Sequence, residues 1–208
     1  MRLVGQLWSV FVKHFKNHIY LYFLCTLFTY IGIITGYMST GSLSDIQRSE
    51  LLNYINGFFQ LFIDTDVSSS EVFTQSLINN FQIAFIIWIL GATFICIPLI
   101  LIVMGIRGFV FGFTLSFLVN NLQKNGIAFA LLSLLPSNIF IIPGLIIMGV
   151  ISINFSLYIF RNRSSGISNI FKDFIAYTLV MAAVFMIIVI GSLIEGYFSI
   201  YLIKVVIS

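Results

Sequence analysis

Apolar residues fill this chain in long runs, broken by polar positions at only a few points. The first unbroken run is Ile19 to Met38. Its twenty residues, at about 1.5 Å of rise each, reach across a hydrocarbon core of ~30 Å. The run is too long for the apolar part of a signal peptide, and Tyr37-Met38-Ser39-Thr40 offers no small-residue cleavage site, so we read it as a retained span. Four further spans are expected at about 83–104, 105–122, 137–160 and 174–194. The fold class is therefore an all-α, polytopic membrane helix bundle of about five transmembrane helices with amphipathic interfacial helices.

Two segments depart from this pattern. Residues 1–18 place Leu7, Trp8, Phe11 and Phe15 at helical spacing, followed by Lys13, His14, Lys16 and His18. They read as a cytoplasmic amphipathic segment lying at the membrane face, ahead of one membrane domain over 19–208. His14 and His18 stand four apart. With no third ligand nearby they read as surface residues and not as a metal site.

The second segment is the polar insertion at 39–82. Ser44 and Gln47 form a capping-box pattern, as do Ser68 and Glu71. Behind the first box, Leu51, Leu52, Ile55, Phe58, Phe59 and Phe62 recur at helical spacing. Two short amphipathic helices are expected there, separated by Asp64-Thr65-Asp66.

Prolines mark the later spans. Pro98 is expected to kink the second span. Pro136 and Pro143 are expected to split 127–160 into a short helix and a full fourth span, with Asn138 between them. The fifth helix is expected to end at Glu195-Gly196, and the apolar tail beyond it either extends that helix or lies along the membrane.

Composition agrees with the pattern. Of 208 residues, 60% are hydrophobic and 8% charged, where a soluble domain carries about 25% charged residues. The net charge of +3 is small and scattered, so nucleic acid is not an expected partner and membrane lipid is. Cys25 and Cys96 sit inside apolar runs and read as structural thiols.

The basic residues set an orientation. With a cytoplasmic N-terminus, five crossings put Arg2, Lys13, Lys16, Arg107, Arg161, Arg163 and Lys172 inside, and Arg48, Lys124 and Lys204 outside. This agrees with the positive-inside rule, with Arg107 as an anchor at a cytoplasmic turn. The insertion 39–82 then faces outward.

Candidate chemistry is sparse on this reading. No ionisable residue is expected mid-span, and no metalloprotease, serine-hydrolase or phosphate-loop motif occurs. The expectation is a protein that is not an enzyme, with no catalytic residue, metal or cofactor. Amides remain: Asn79, Asn80 and Gln82 at the start of the second span, Asn120 and Asn121 at the end of the third, Asn138 between the two prolines and Asn154 inside the fourth span. Asn79, Asn80, Pro98, Pro136, Asn138 and Pro143 are read as helix-packing residues. The sharper alternative is a broken-helix transport site at Pro136–Pro143. Gly105, Gly108 and Gly112 offer one close-packing flank, Gly144 and Gly149 another, and these flanks permit a homodimer.

The order of these features resembles the stage II sporulation protein M family. The double amide Asn79-Asn80 and the proline-bounded stretch Leu135-Pro136-Ser137-Asn138-Ile139-Phe140-Ile141-Ile142-Pro143 carry the resemblance. The wider superfamily often has His and Glu where this chain has Ser137 and Ile141, so ion or proton chemistry of that group loses its groups here. The resemblance implies a membrane scaffold at the sporulation septum and engulfing mother-cell membrane. It would anchor and localise peptidoglycan hydrolases, the stage II sporulation proteins D and P, during engulfment of the forespore. Leu51, Ile55, Phe58, Phe59 and Phe62 are the candidate partner-binding residues. The alternative function is a permease-like membrane subunit of a transport system.

Overall fold

The computed structural model describes residues 15–64, 69–93, 96–121, 126–161 and 167–199. Among the described residues there are helices and turns and no strand. The elements are α1 (Ile19–Ser39), a 3-10 turn (Thr40–Ser42), α2 (Asp45–Asp64), α3 (Ser69–Gly91), α4 (Cys96–Asn121), α5 (Gly126–Arg161) and α6 (Ile167–Leu193), which continues as a π-helical turn (Ile194–Ser199). All of these helices except α2 contain a stretch long and apolar enough to cross a membrane: Ile19–Ser42, Ser69–Gly91, Ile97–Asn120, Leu134–Arg161 and Phe171–Phe198.

Five spans agrees with the sequence pattern, but the positions of the inner turns do not. The expected second span, 83–104, contains a chain reversal. Helix α3 ends at Gly91, where the Ala92 and Thr93 amides donate back to the Ile89 and Leu90 carbonyls at 3.0 Å each. The turn Gly91-Ala92-Thr93 carries no charge, so hydropathy runs through it with little change. The real break in the apolar pattern, Arg107, lies well inside α4. Asn79 and Asn80 accordingly sit near the middle of α3 and not at its start.

The prolines also behave differently from expectation. Pro98 is the third residue of α4 and produces no mid-span kink. In a first helical turn the missing N–H has no intrahelical acceptor to serve. Pro136 and Pro143 lie inside one continuous helix of 36 residues, so the expected split does not occur. Beside Pro136, Ser137 Oγ and Asn138 Nδ2 both donate to the Leu134 carbonyl, at 3.3 and 2.8 Å. The carbonyls that Pro136 and Pro143 leave without an N–H are those of Leu132 and Ile139, and packing by neighbouring helices lets a membrane helix carry such prolines without breaking.

What holds the bundle together follows from its solvent. Lipid is as apolar as leucine, so close backbone approach and interhelical hydrogen bonds do the work that water exclusion does elsewhere. Helices α1 and α4 use both. Gly32 and Gly36 of α1 face Gly105, Phe109 and Phe113 of α4, while Gly108 and Gly112 of α4 face Thr29 and Ile33 of α1. A Cβ on Gly36 would stand 2.8 Å from the Phe113 backbone nitrogen, and one on Gly112 would stand 2.8 Å from Ile33 Cα. Past the last glycine, Thr40 Oγ1 and Ser116 Oγ share a 2.6 Å hydrogen bond. Asn120 Nδ2 donates to the same Ser116 at 3.2 Å.

Helix α5 runs through the centre, packed by α1, α3, α4 and α6. Ile141, Leu145, Val150 and Ile153 of α5 are almost fully buried with Ile87, Ile100, Met104, Ile188 and the thiol of Cys25. Near the α3–α4 turn, the Tyr177 hydroxyl donates to the Trp88 carbonyl at 3.0 Å and pairs with Ser152 Oγ at 2.9 Å. Its ring stacks on Phe155, centroids 4.2 Å apart. Ser156 Oγ ties the turn itself to α5 through the Thr93 carbonyl at 2.9 Å.

Candidate functional site

Arg107 stands eleventh in the 24-residue apolar stretch Ile97–Asn120. It is half-buried, and it faces α3. Arg107 Nη2 donates to Asn80 Oδ1 at 3.1 Å. A guanidinium only donates, so this bond fixes which way the Asn80 amide points. The two N–H groups of that amide then go elsewhere. One donates to Ser76 Oγ, a turn away on α3, at 3.3 Å, and the other to Ser192 Oγ on α6 at 3.2 Å. Ser76 Oγ in turn donates to Glu195 Oε2 at 2.7 Å.

Every donor in this series points from Arg107 toward Glu195. The result is a polarised relay of cation, amide, hydroxyl and carboxylate, in which each bond strengthens its neighbours. Asn80 and Ser192 are almost fully buried and Ser76 is buried. Arg107 and Glu195 make no direct ion pair, although the carboxylate acts on the guanidinium electrostatically. Arg107 Nε is buried without a hydrogen-bond partner among the described residues.

The backbone assists at the α6 end. Glu195 lies in the π-helical turn, a widened geometry that recurs at functional positions. The next residue, Gly196, lies directly on α3: a Cβ there would come within 2.7 Å of Phe73 Cα. Absence of a side chain at 196 lets Glu195 approach Ser76. The relay thus joins α3, α4 and α6 and neutralises two charges inside the bundle.

These residues correct the reading of an uncharged interior. Arg107 is within a spanning helix and not at a cytoplasmic turn, and Glu195 continues the helix instead of ending it. An ionisable residue inside a membrane is costly and signals a partner. Ser76, Ser192 and Glu195 were not legible as its partners, because nothing local to α4 points to them. The signal that was available is Arg107 itself, alone between Cys96–Ile106 and Gly108–Val119.

The other candidate residues scatter. Asn79 is exposed, bonded only to Gln75 of its own helix at 3.0 Å. Asn138 bonds within α5, which leaves no broken-helix site between Pro136 and Pro143. Pro98 is at the start of α4. On α2, Leu51 and Ile55 are half-buried, and Ile46 and Tyr54 are exposed. The side chains of Phe58, Phe59 and Phe62 lie outside the described residues, as do Ser68, His14 and the amphipathic residues up to 14. The first capping box is formed: Ser44 N–H donates to Gln47 Oε1 at 3.1 Å and Gln47 N–H to Ser44 Oγ at 3.3 Å.

Five apolar helices joined by buried polar contacts define a polytopic helical membrane protein. Residues 7–200 match the family model described as stage II sporulation protein M. The chain belongs to that family and is a sporulation-related membrane protein. No curated protein and no solved structure matches it.

Proposed function

We propose that this protein is a non-enzymatic membrane scaffold of the peptidoglycan-remodelling machinery that drives engulfment. In this reading it anchors wall hydrolases, the stage II sporulation proteins D and P, at the septal and engulfing membrane. The observation that carries the proposal is helix α2. It is started by a reciprocal capping box and, among the described residues, packs extensively on none of the spanning helices. Its stripe through Leu51 and Ile55 is therefore left to a partner.

Orientation supports the same reading. With Arg107 inside a span, the N-terminal side still holds Arg2, Lys13, Lys16, Arg161, Arg163 and Lys172, against Arg48, Lys124 and Lys204 on the other. The positive-inside rule then puts α2 outside, where the wall is. A permease-like role draws less support, since α5 is continuous across both prolines.

The test is co-purification from sporulating cells. Leu51→Asp with Ile55→Asp is expected to cut recovery of the hydrolases about tenfold, as loss of a buried apolar anchor does, while the protein stays in the membrane. Full recovery would remove α2 as the docking surface. Deletion of the protein with normal engulfment under a membrane stain would refute the scaffold itself.

A further inference from the structure

Helix α3 presents a polar line to the lipid. Gln75, Asn79 and Gln82 recur at intervals of four and three, so they share one face, and all three are exposed. Asn79 is the eleventh and Gln82 the fourteenth of the 23 residues of α3, which places both amides near the middle of the span. Gln75 Nε2 donates to Asn79 Oδ1, and the Gln82 amide has no partner among the described residues. Ile78 and Phe85, 45% and 46% exposed, flank the line, and Ile86, 47% exposed, continues it. Hydrocarbon offers amides no hydrogen bonds, so such a face requires another protein surface.

We infer that the Gln75–Asn79–Gln82 face of α3 is a homodimer interface, occupied by the same face of a second copy of this chain. The chemistry selects that occupant. An amide is both donor and acceptor, so two identical stripes satisfy each other across a two-fold axis. The stripe is neutral and calls for no oppositely charged partner. Two copies inserted alike share one orientation, so the axis lies along the membrane normal and Asn79 meets Asn79. Glu71, on the same line near the outer end of α3, lies where crossing helices diverge. The close-packing glycines Gly105, Gly108 and Gly112 that could otherwise support self-association are already engaged by α1 within the protomer.

The experiment uses the full chain with Cys25→Ala and Cys96→Ala. Ile86→Cys, on the stripe but outside the amides, is expected to form disulfide-linked dimers in membranes treated with copper phenanthroline. Leu179→Cys, 66% exposed on α6, is expected to give none. In liposomes at high lipid dilution, purified labelled protein is expected to colocalise in pairs. The triple variant Gln75→Leu, Asn79→Leu, Gln82→Leu is expected to lower that paired fraction at least tenfold. Equal crosslinking at both cysteines overturns the inference. So does a purified protein that stays monomeric, as it would if the stripe served the helix of a different protein.

Discussion

Arg107 of α4 and Asn80 of α3 meet at 3.1 Å inside two helices that each cross the membrane. The contact turns a lone cation into one end of a relay that closes on Glu195 of α6. Two consecutive helices and the much later α6 are thereby held in register. In a bundle where apolar surface alone cannot specify which helices touch, such a polar registration sets the arrangement.

Removing the cation should expose that role. Arg107→Leu leaves Asn80 Oδ1 and the Glu195 carboxylate without their donor and counter-charge. A hydrogen bond to a charged group contributes about 1.5–3 kcal/mol, and a loss of that size is expected in unfolding titrations of bicelle-reconstituted protein. Arg107→Leu with Glu195→Leu should be less destabilising than the sum of the two single changes, since each single change leaves the other charge unpaired and the double change leaves none. Strict additivity would show that the two ends are not coupled.

The sequence pattern made the spans countable but not the relay. Helix count follows from local hydropathy, and each helix carries its own signal. The turn at Gly91–Thr93 carries almost none, because small residues next to a buried carbonyl partner, Ser156, need no charge to reverse the chain. Arg107 then looked like the missing loop. Its neutralising partners sit on other helices, at Asn80 and Glu195, and only tertiary packing brings them together. Ser44 and Gln47 are the opposite case. Both halves of that motif lie within one turn, so the spacing alone specified the contact. Gly32 and Gly36 fall between the two: the spacing is visible, but it gains meaning only once the backbone of Gly105, Phe109 and Phe113 is opposite.

The glycines of α1 and α4 provide a second test. A Cβ on Gly32 would collide with the carbonyl oxygen of Gly105, and one on Gly108 with that of Thr29. Backbone cannot rotate away, so the helices must separate. Gly32→Ala and Gly108→Ala are each expected to destabilise by about 1–3 kcal/mol, the usual cost of overpacking. Gly57, in the middle of α2, has nothing within 4 Å of a Cβ. There the same substitution should stabilise its helix by about 0.5–1 kcal/mol, through lower backbone entropy. Thermal melting in one detergent compares all three. Equal effects would mean that the α1–α4 seam is looser than its geometry.

The capping box offers the sharpest local prediction. Ser44 and Gln47 bond reciprocally, so each supplies an acceptor to the other's backbone amide. Ser44→Ala removes one of these and should cost α2 about 0.5–2 kcal/mol. Because α2, among the described residues, packs extensively on none of the spanning helices, that loss has little tertiary packing to offset it. Amide hydrogen exchange over the first turn of α2 should then accelerate about 2–30-fold, the same energy expressed as an opening equilibrium, while the amides of α5 stay unchanged. Gln47→Ala should act in the same direction, and Ser44→Asp should retain protection, since aspartate also accepts at this position. If all three variants exchange like the parent, helix α2 draws its stability from a partner and not from its cap.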